Sequence, residues 1–339
     1  MSFKPLLAAS LDGEEPAALP FPLLWSPKLD GIRTLMVDGA TDKKDVFHPG
    51  VQPASRKIKQ IPNNKIRALL SRPELAGLDG ELISGTVTDA DVFNFTTRIV
   101  MKGDGPGMGE VCWLGEDAKG KSAMSSTPVE GWTQIDQTSY FVFDDFSDLA
   151  LGFDVRYFNL CKRVAALPEE LRQFVVVVAH EIVDNVDDLM NVERIAVEQG
   201  YEGVMLRSRE GRYKTGRSTF NECILVKMKR FQDTDGVIVG FEEMYHNDNE
   251  KVRDNLGHGK RSQNAEGMRA AGTLGALVVR LGEFGDQTVK CGSGYSAALK
   301  QEIWDNQADW LNTGVVLKYQ PSGMKDLPRF PVFKGRRAD

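Results

Sequence analysis

Over the first 100 residues, apolar positions come in short bursts separated by turn residues. "IRTLMVDG" predicts a strand running into a turn, and "GLDGELIS" a second short strand. In "IPNNKIRALLSRPEL", Ile66, Leu69 and Leu70 stand at helical spacing. Residues 102–138 are rich in Gly, Ser, Asp and Thr and have little periodicity, which predicts a long surface excursion that orders on a ligand. "SYFVFDDF" predicts a buried strand. "VRYFNLCKRVAAL" and "VDDLMNVERIAVEQG" predict helices, the second closed by Gly200. "FVVVVAHEIV", "YEGVMLRS" and "ECILVKMK" predict three more strands. After "FQDTDG" the texture changes to short apolar stretches between Gly-rich turns: "GVIVGFEE", "LGALVVRLG", "QTVKCGSG" and "VVLKYQPSG". This predicts a small β-barrel with one helix, "SAALKQEIWDNQADWL". The change sets a boundary near residue 231, giving domains 1–230 and 231–339, and no internal repeat is present.

Composition narrows the class. A chain of 339 residues suggests two or three domains. No stretch approaches the roughly 18 consecutive apolar residues of a membrane span, and the N-terminus lacks the apolar core of a signal peptide. Cys112, Cys161, Cys223 and Cys291 are scattered with no CxxC pair, which argues against a zinc site or a disulfide framework and fits a reducing, cytoplasmic setting. The formal net charge of -6 disfavours a nucleic-acid partner until its distribution is considered. Residues 205–230 hold eight Lys/Arg against two Glu, and residues 318–339 hold six against two Asp. These are two basic surfaces on an acidic protein.

Chemistry enters at "SPKLDGIR", residues 26–33. Apolar runs flank it, so Lys28 sits at a strand-loop-strand junction and Asp30-Gly31 supplies the turn. A lysine fixed in this way can act as a nucleophile if its amine loses a proton, and nearby cations would lower its pKa. Lys227 and Lys229 offer such cations, on one face of "LVKMKR" by strand alternation. Two adjacent ammonium groups make sense facing polyphosphate. A second Lys-x-Asp-Gly at 102–105 lacks both the arginine and the flanking strands. Asp79 and Glu81 share one face of a strand, and Glu202 stands at another strand start. Acids near phosphate-binding cations suggest Mg²⁺. Phe143 lies in an apolar strand, either as core or as a surface for a purine.

The ordered set Lys28-Leu-Asp-Gly-Ile-Arg33, Ser55-Arg56, Asp79-Gly-Glu81, Phe143-Asp144, Glu202-Gly203 and Lys227-Met-Lys229 resembles the motif series of the covalent nucleotidyltransferases. More closely, the chain resembles a short ATP-dependent DNA ligase of the viral or bacterial minimal type, over nearly its whole length. The resemblance implies an α+β chain: a nucleotidyltransferase (ATP-grasp-like adenylation) domain of antiparallel sheets with helices, then an all-β OB-fold domain. It implies that Lys28 attacks the α-phosphate of ATP and carries AMP as a phosphoramidate. Ser26, Leu29, Arg33, Arg56, Glu81, Phe143, Glu202, Lys227 and Lys229 would complete the ATP/AMP site. In that site Phe143 would stack on adenine, Arg33 and Glu81 would lie near the ribose, and Lys227 and Lys229 would grip the α-phosphate. Glu81 and Glu202 would hold Mg²⁺, with Mn²⁺ as an alternative. Arg56, Lys57, Arg217, Lys318, Arg329, Lys334 and Arg336 would bind DNA. The implied partner is nicked double-stranded DNA, with the protein acting as a monomer off the membrane.

The terminal "RFPVFKGRR" looks like the basic last motif of small ligases rather than the Arg-x-Asp-Lys form, so Arg329, Lys334 and Arg336 are assigned only as a group that orients pyrophosphate. Lys28 lies too near the N-terminus for the separate DNA-binding domain of larger relatives, which leaves the basic surfaces and residues 102–138 to clasp the duplex. An RNA ligase or an mRNA-capping guanylyltransferase would share the lysine-nucleotide chemistry, and a nick- or nucleotide-binding protein would share the scaffold alone.

Overall fold

Two five-stranded sheets carry the first part of the molecule, in a computed structural model that describes residues 3–12, 14–117, 119–229, 231–253, 259–262, 264–320 and 327–337. The chain divides into two compact units, the first running to Lys229 and the second taking most of the remainder. In the first sheet the order is Val175–Val177, Thr138–Asp145, Leu78–Ser84, Ile32–Thr41 and Phe47–Ser55. In the second it is Glu181–Val183, Leu23–Pro27, Val204–Arg207, Leu225–Met228 and Ala9–Ser10. The sheets are antiparallel at their centres, as expected. Two edge strands depart from this: Val175–Val177 and Ala9–Ser10 each join in parallel. Parallel neighbours need a crossover connection, and helix Phe153–Ala165 lies within the crossover between Thr138–Asp145 and Val175–Val177.

Helix Asn64–Leu70 is too short to persist alone. Asn63 caps it, accepting from the backbone N–H of Lys65 and Ile66 at 3.0 Å each. Its fully buried Ile66 and Leu70 join the core of the first sheet, a burial of about 1.5–3 kcal/mol each. The amide of Asn63 also donates to the carbonyls of Ile99 and Pro106, at 3.1 and 2.9 Å. Helix Val186–Glu198, capped by Asn185, buries Leu189 and Ala196 against the second sheet.

Three expectations need correction. Residues 102–138 are not a structureless excursion. They contain a three-stranded antiparallel sheet in the order Ser122–Ser125, Cys112–Glu116, Thr133–Ile135. Cys112, Leu114 and Ile135 bury against Ile99 of helix Val92–Val100, so this segment shares a small apolar core with that helix. "FVVVVAHEIV" is not one strand. Val175–Val177 pairs in the first sheet and Glu181–Val183 in the second, so the run passes from one sheet to the other. The helix expected at 296–311 is two, Ala297–Asp305 and Gln307–Trp310, because Asn306 leaves helical geometry at φ -120°, ψ 40°.

The second unit is an antiparallel sheet in the order Gln287–Cys291, Met268–Leu281, Gln232–Asn247, Gly314–Gln320, Arg329–Arg336. Its two edges meet at Ser293 and Val332, where the N–H of Phe333 donates to the carbonyl of Ser293 at 2.9 Å. Ile238, Leu277, Val279, Val315, Leu317 and Phe333 fill the interior, with Ile303 and Trp310 of the two helices packed against them. A five-stranded barrel of this kind is the OB architecture. "RFPVFKGRR" is thus largely a barrel strand. The fold class read from the sequence holds.

Candidate active site

Leu23–Pro27 belongs to the second sheet and Ile32–Thr41 to the first, so Lys28–Gly31 is the crossing between them. Gly31 is required there: a Cβ would lie 2.5 Å from the carbonyl oxygen of Leu82. Backbone bonds then fix the lysine. The N–H of Lys28 donates to the carbonyl of Gly203 at 2.8 Å, and the N–H of Glu202 donates to the carbonyl of Lys28 at 3.3 Å. Gly203 holds φ +142°, and a Cβ there would collide with the carbonyl of Met228. Lys28 and Glu202 are therefore presented together by strands 174 positions apart in sequence.

Glu202 accepts from two ammonium groups at once, Lys28 on one oxygen and Lys229 on the other. Burial alone would raise its pKa, but the two lysines hold it at about 2. The expectation that cations depress the Lys28 pKa is corrected. Burial does push it down, yet Glu202, Glu81 and Asp30 outweigh burial and raise it above its ordinary value. Lys227 shows the expected behaviour instead: burial, then Lys229, Lys28 and Arg217, lower its pKa. Sequence reasoning weighs the cations around Lys28 and omits the carboxylates.

Lys28 opens into a cavity of about 460 Å³. Ser26, Leu29, Arg33, Arg56, Glu81, Phe143, Arg217 and Lys227 also line it. Most of these come from the two large sheets and the turns that follow their strands, and Arg217 comes from a two-stranded sheet with Leu6–Leu7. Glu202 and Lys229, paired with each other, are not among the lining residues. Lys57 is exposed beside Arg56, outside the lining. Arg217, assigned to DNA, borders the same cavity, and its Nη1 donates to the carbonyl of Ala8 at 2.6 Å.

Asp79 and Glu81 share a strand but not a role. Asp79 is fully buried, accepting from Arg33 at 3.0 and 2.6 Å and from the Tyr213 hydroxyl at 2.7 Å. Its part is to hold the Arg33 guanidinium, and it is taken out of any metal site. Glu81 faces the cavity, and its pKa rises to about 7: burial, Glu202 and Asp30 outweigh the pull of Lys28 and Arg33. Among the described residues no group of three or more His, Cys, Asp or Glu is arranged to hold a metal ion.

Phe143 occupies a β-bulge. Val142 pairs with Gly80 and Asp144 with Asp79, so Phe143 is the extra residue. A bulge re-aims a side chain, here toward the cavity. Arg33 and Arg207 place guanidinium carbons 5.7 and 5.6 Å from its ring centre. Arg207, Met205, Val178 and Phe93 also line the cavity, and sequence reasoning does not pick them out. A reading of "YEGVMLRS" for Glu202 alone passes over Arg207, which strand alternation from Met205 would put on the same side.

The remaining basic candidates lie in the second unit. Lys318 sits 4.3 Å from the ring centre of Phe231, and Lys334 pairs with Asp233 at 2.7 Å. Arg336 stacks 3.8 Å from the Trp310 ring centre. The side chain of Arg329 lies outside the described residues.

Residues 5–229 match the model of the ATP dependent DNA ligase domain, and residues 267–337 that of the DNA ligase OB-like domain. The DNA ligase of African swine fever virus is 26% identical over 113 residues, 33% of this chain and 26% of that protein. A solved structure of Chlorella virus DNA ligase-adenylate is 27% identical, covers 99% of each chain and has a TM-score of 0.49. A solved Lig E DNA ligase is 19% identical, covers 99% of this chain and 100% of that one, and its TM-score of 0.61 supports the fold. The chain belongs to the ATP-dependent DNA ligase family, with a catalytic domain followed by an OB-like domain.

Proposed function

We propose that the protein seals nicks in duplex DNA, joining a 5′-phosphate to a 3′-hydroxyl at the expense of ATP. The observation that carries this reading is that Lys28 lines one cavity with Arg56, Arg217 and Lys227, cations suited to phosphate. Residues 1–230 act as the adenylation domain and 231–339 as the OB-fold domain that lies along DNA.

Lys28 must first give a proton to solvent and lose its bond to Glu202. Its neutral Nζ then forms a P–N bond to the α-phosphorus, and the bond to pyrophosphate breaks. An oxygen of the nick 5′-phosphate next displaces Lys28 from the adenylate. The 3′-hydroxyl, giving up its proton, attacks the 5′-phosphorus and AMP leaves. Every step is attack at phosphorus, so alignment and charge neutralisation carry the catalysis. Lys227 neutralises charge at the α-phosphate, and Lys229 joins it on releasing Glu202; Phe143 offers its ring to the base, and Arg33 borders the sugar. Arg56, with Lys57 and Arg217, meets the nick phosphate. Lys318, Lys334 and Arg336 supply the basic side of the barrel, and Arg329 is assigned to DNA with them.

Glu81 and Glu202 are our candidates to hold a divalent cation, Glu202 on giving up one of its two lysines. Glu81 faces the cavity with its carboxyl pushed up to about 7, burial being the largest cause, and a dication beside it would favour the ionised form. When bound, Mg²⁺ or Mn²⁺ would add charge neutralisation at the phosphates. We take the active species to be a monomer in a reducing cytoplasm, in keeping with four free cysteines. No helix among the described residues is long and apolar enough to cross a membrane.

A gel assay with nicked DNA, ATP and Mg²⁺ tests the reading. Sealing that falls steeply with salt is expected, through counterion release. Sealing of nicked RNA alone, or labelling by GTP rather than ATP, would redirect it to an RNA ligase or a capping enzyme.

A further inference from the structure

Beneath Phe143 lies a buried ionic cluster that nucleotide chemistry does not call for. Asp144 is fully buried and Arg207 is 3% exposed. Arg207 Nη1 donates to Asp144 Oδ2 at 2.7 Å. Arg156, 1% exposed, donates to the same carboxylate from helix Phe153–Ala165, at 2.8 and 3.2 Å. Asp144 belongs to the first sheet and Arg207 to the second, so this pair ties the two walls of the cavity together.

Leaving charges buried at this depth is costly unless geometry demands it. The bulge supplies the demand. At the bulge Phe143 has no backbone pair on Leu78–Ser84, and its ring packs on one side against the cluster of Leu29, Ile83, Val92 and Val178. Arg207 stands 5.6 Å from the ring centre of Phe143 and 4.4 Å from that of Phe153, filling the space between cavity and helix. Its Nε has no hydrogen-bond acceptor among the described residues, which fits a group held for its contact with aromatic faces.

We propose that the Asp144–Arg207 ion pair is the positioning device for the Phe143 ring, and through it for the base of the bound nucleotide. This rests on the reading of Phe143 as the surface that meets the base. Arg207 is a positioning residue: it acts through Phe143 rather than on the reacting atoms.

A double-mutant cycle on enzyme–AMP formation tests this, with KM for ATP, maximal rate and unfolding midpoint read for each protein. Phe143→Ala and Arg207→Gln should each raise KM about tenfold, with maximal rate changed less than about twofold. The double variant should be no worse in KM than Phe143→Ala alone, and Arg207→Lys should recover part of the loss. A merely structural arginine would lower the unfolding midpoint without this non-additivity. Additive KM effects, or a normal KM in Arg207→Gln, would overturn the proposal, as would an unchanged KM in Phe143→Ala. If Arg207→Gln does not fold, the cycle is run with Arg207→Lys, where additive KM effects with Phe143→Ala would overturn the proposal in the same way. If the unaltered protein forms no AMP adduct, the ligase reading itself fails, and that result is distinct from the others.

Discussion

Replacing Glu81 by Gln should stabilise the ligand-free protein at alkaline pH while disabling it. The Glu81 carboxyl is raised from an ordinary 4.5 to about 7, with burial as the largest cause. Below pH 4.5 both folded and unfolded chains hold its proton, so it contributes nothing pH-dependent. Between 4.5 and 7 only the folded chain keeps the proton, and stability falls as pH rises. Each pH unit in that window is worth about 1.4 kcal/mol, which gives a ceiling of about 3 kcal/mol for the whole fall. Partial exposure of the side chain brings this to about 2 kcal/mol. Gln keeps the shape and never ionises, so Glu81→Gln escapes the fall. Denaturant unfolding of both proteins at pH 5 and pH 8.5 should show near-equal stability at the lower pH and a gain of about 2 kcal/mol for Glu81→Gln at the higher. Adenylation should drop in the same variant, a cost of function held against stability. An equal loss of stability at both pH values would refute the reasoning, because Glu81 would then be an ordinary stabilising carboxylate.

Other expectations follow from single contacts. Lys28→Ala should abolish labelling by radioactive ATP and leave the circular dichroism spectrum unchanged, since the position borders the cavity. Glu202→Gln should lower the pKa of Lys28, because Glu202 is the strongest upward influence on it. Acylation of Lys28 by an amine reagent near pH 9 should then quicken, read by peptide mass spectrometry. Leu114→Ala should cost the small sheet about 2–4 kcal/mol, exposing residues 112–135 to limited proteolysis while adenylation by the rest of the chain persists.

The sequence was most legible where local rules and chemistry coincide. "KLDGIR" could be placed on a loop between strands because the Asp-Gly turn and flanking apolar runs agree. That the loop joins two different sheets could not be seen, because pairing partners are set by contacts distant in sequence. The same limit hid the break in "FVVVVAHEIV", where apolar residues stand on both sides of Ala179 and His180. The small sheet at 112–135 looks like loop in the sequence because its strands are short and part of its core, Ile99, comes from the preceding helix. At the active site, residue types were readable but their pairings were not. Asp79 and Glu81 look equivalent in "LDGEL", yet one is spent on Arg33 and the other faces the cavity. Charge counting near Lys28 failed for a related reason: the decisive carboxylate, Glu202, arrives from another strand.

The central claim is that Lys28 accepts the adenylate. Purified protein incubated with ATP and Mg²⁺, digested and sequenced by tandem mass spectrometry, measures this directly. The account predicts AMP attached to the Nζ of Lys28, lost on addition of pyrophosphate or nicked DNA. AMP found on Lys227 or Lys229 instead, or no adduct at all, would contradict it.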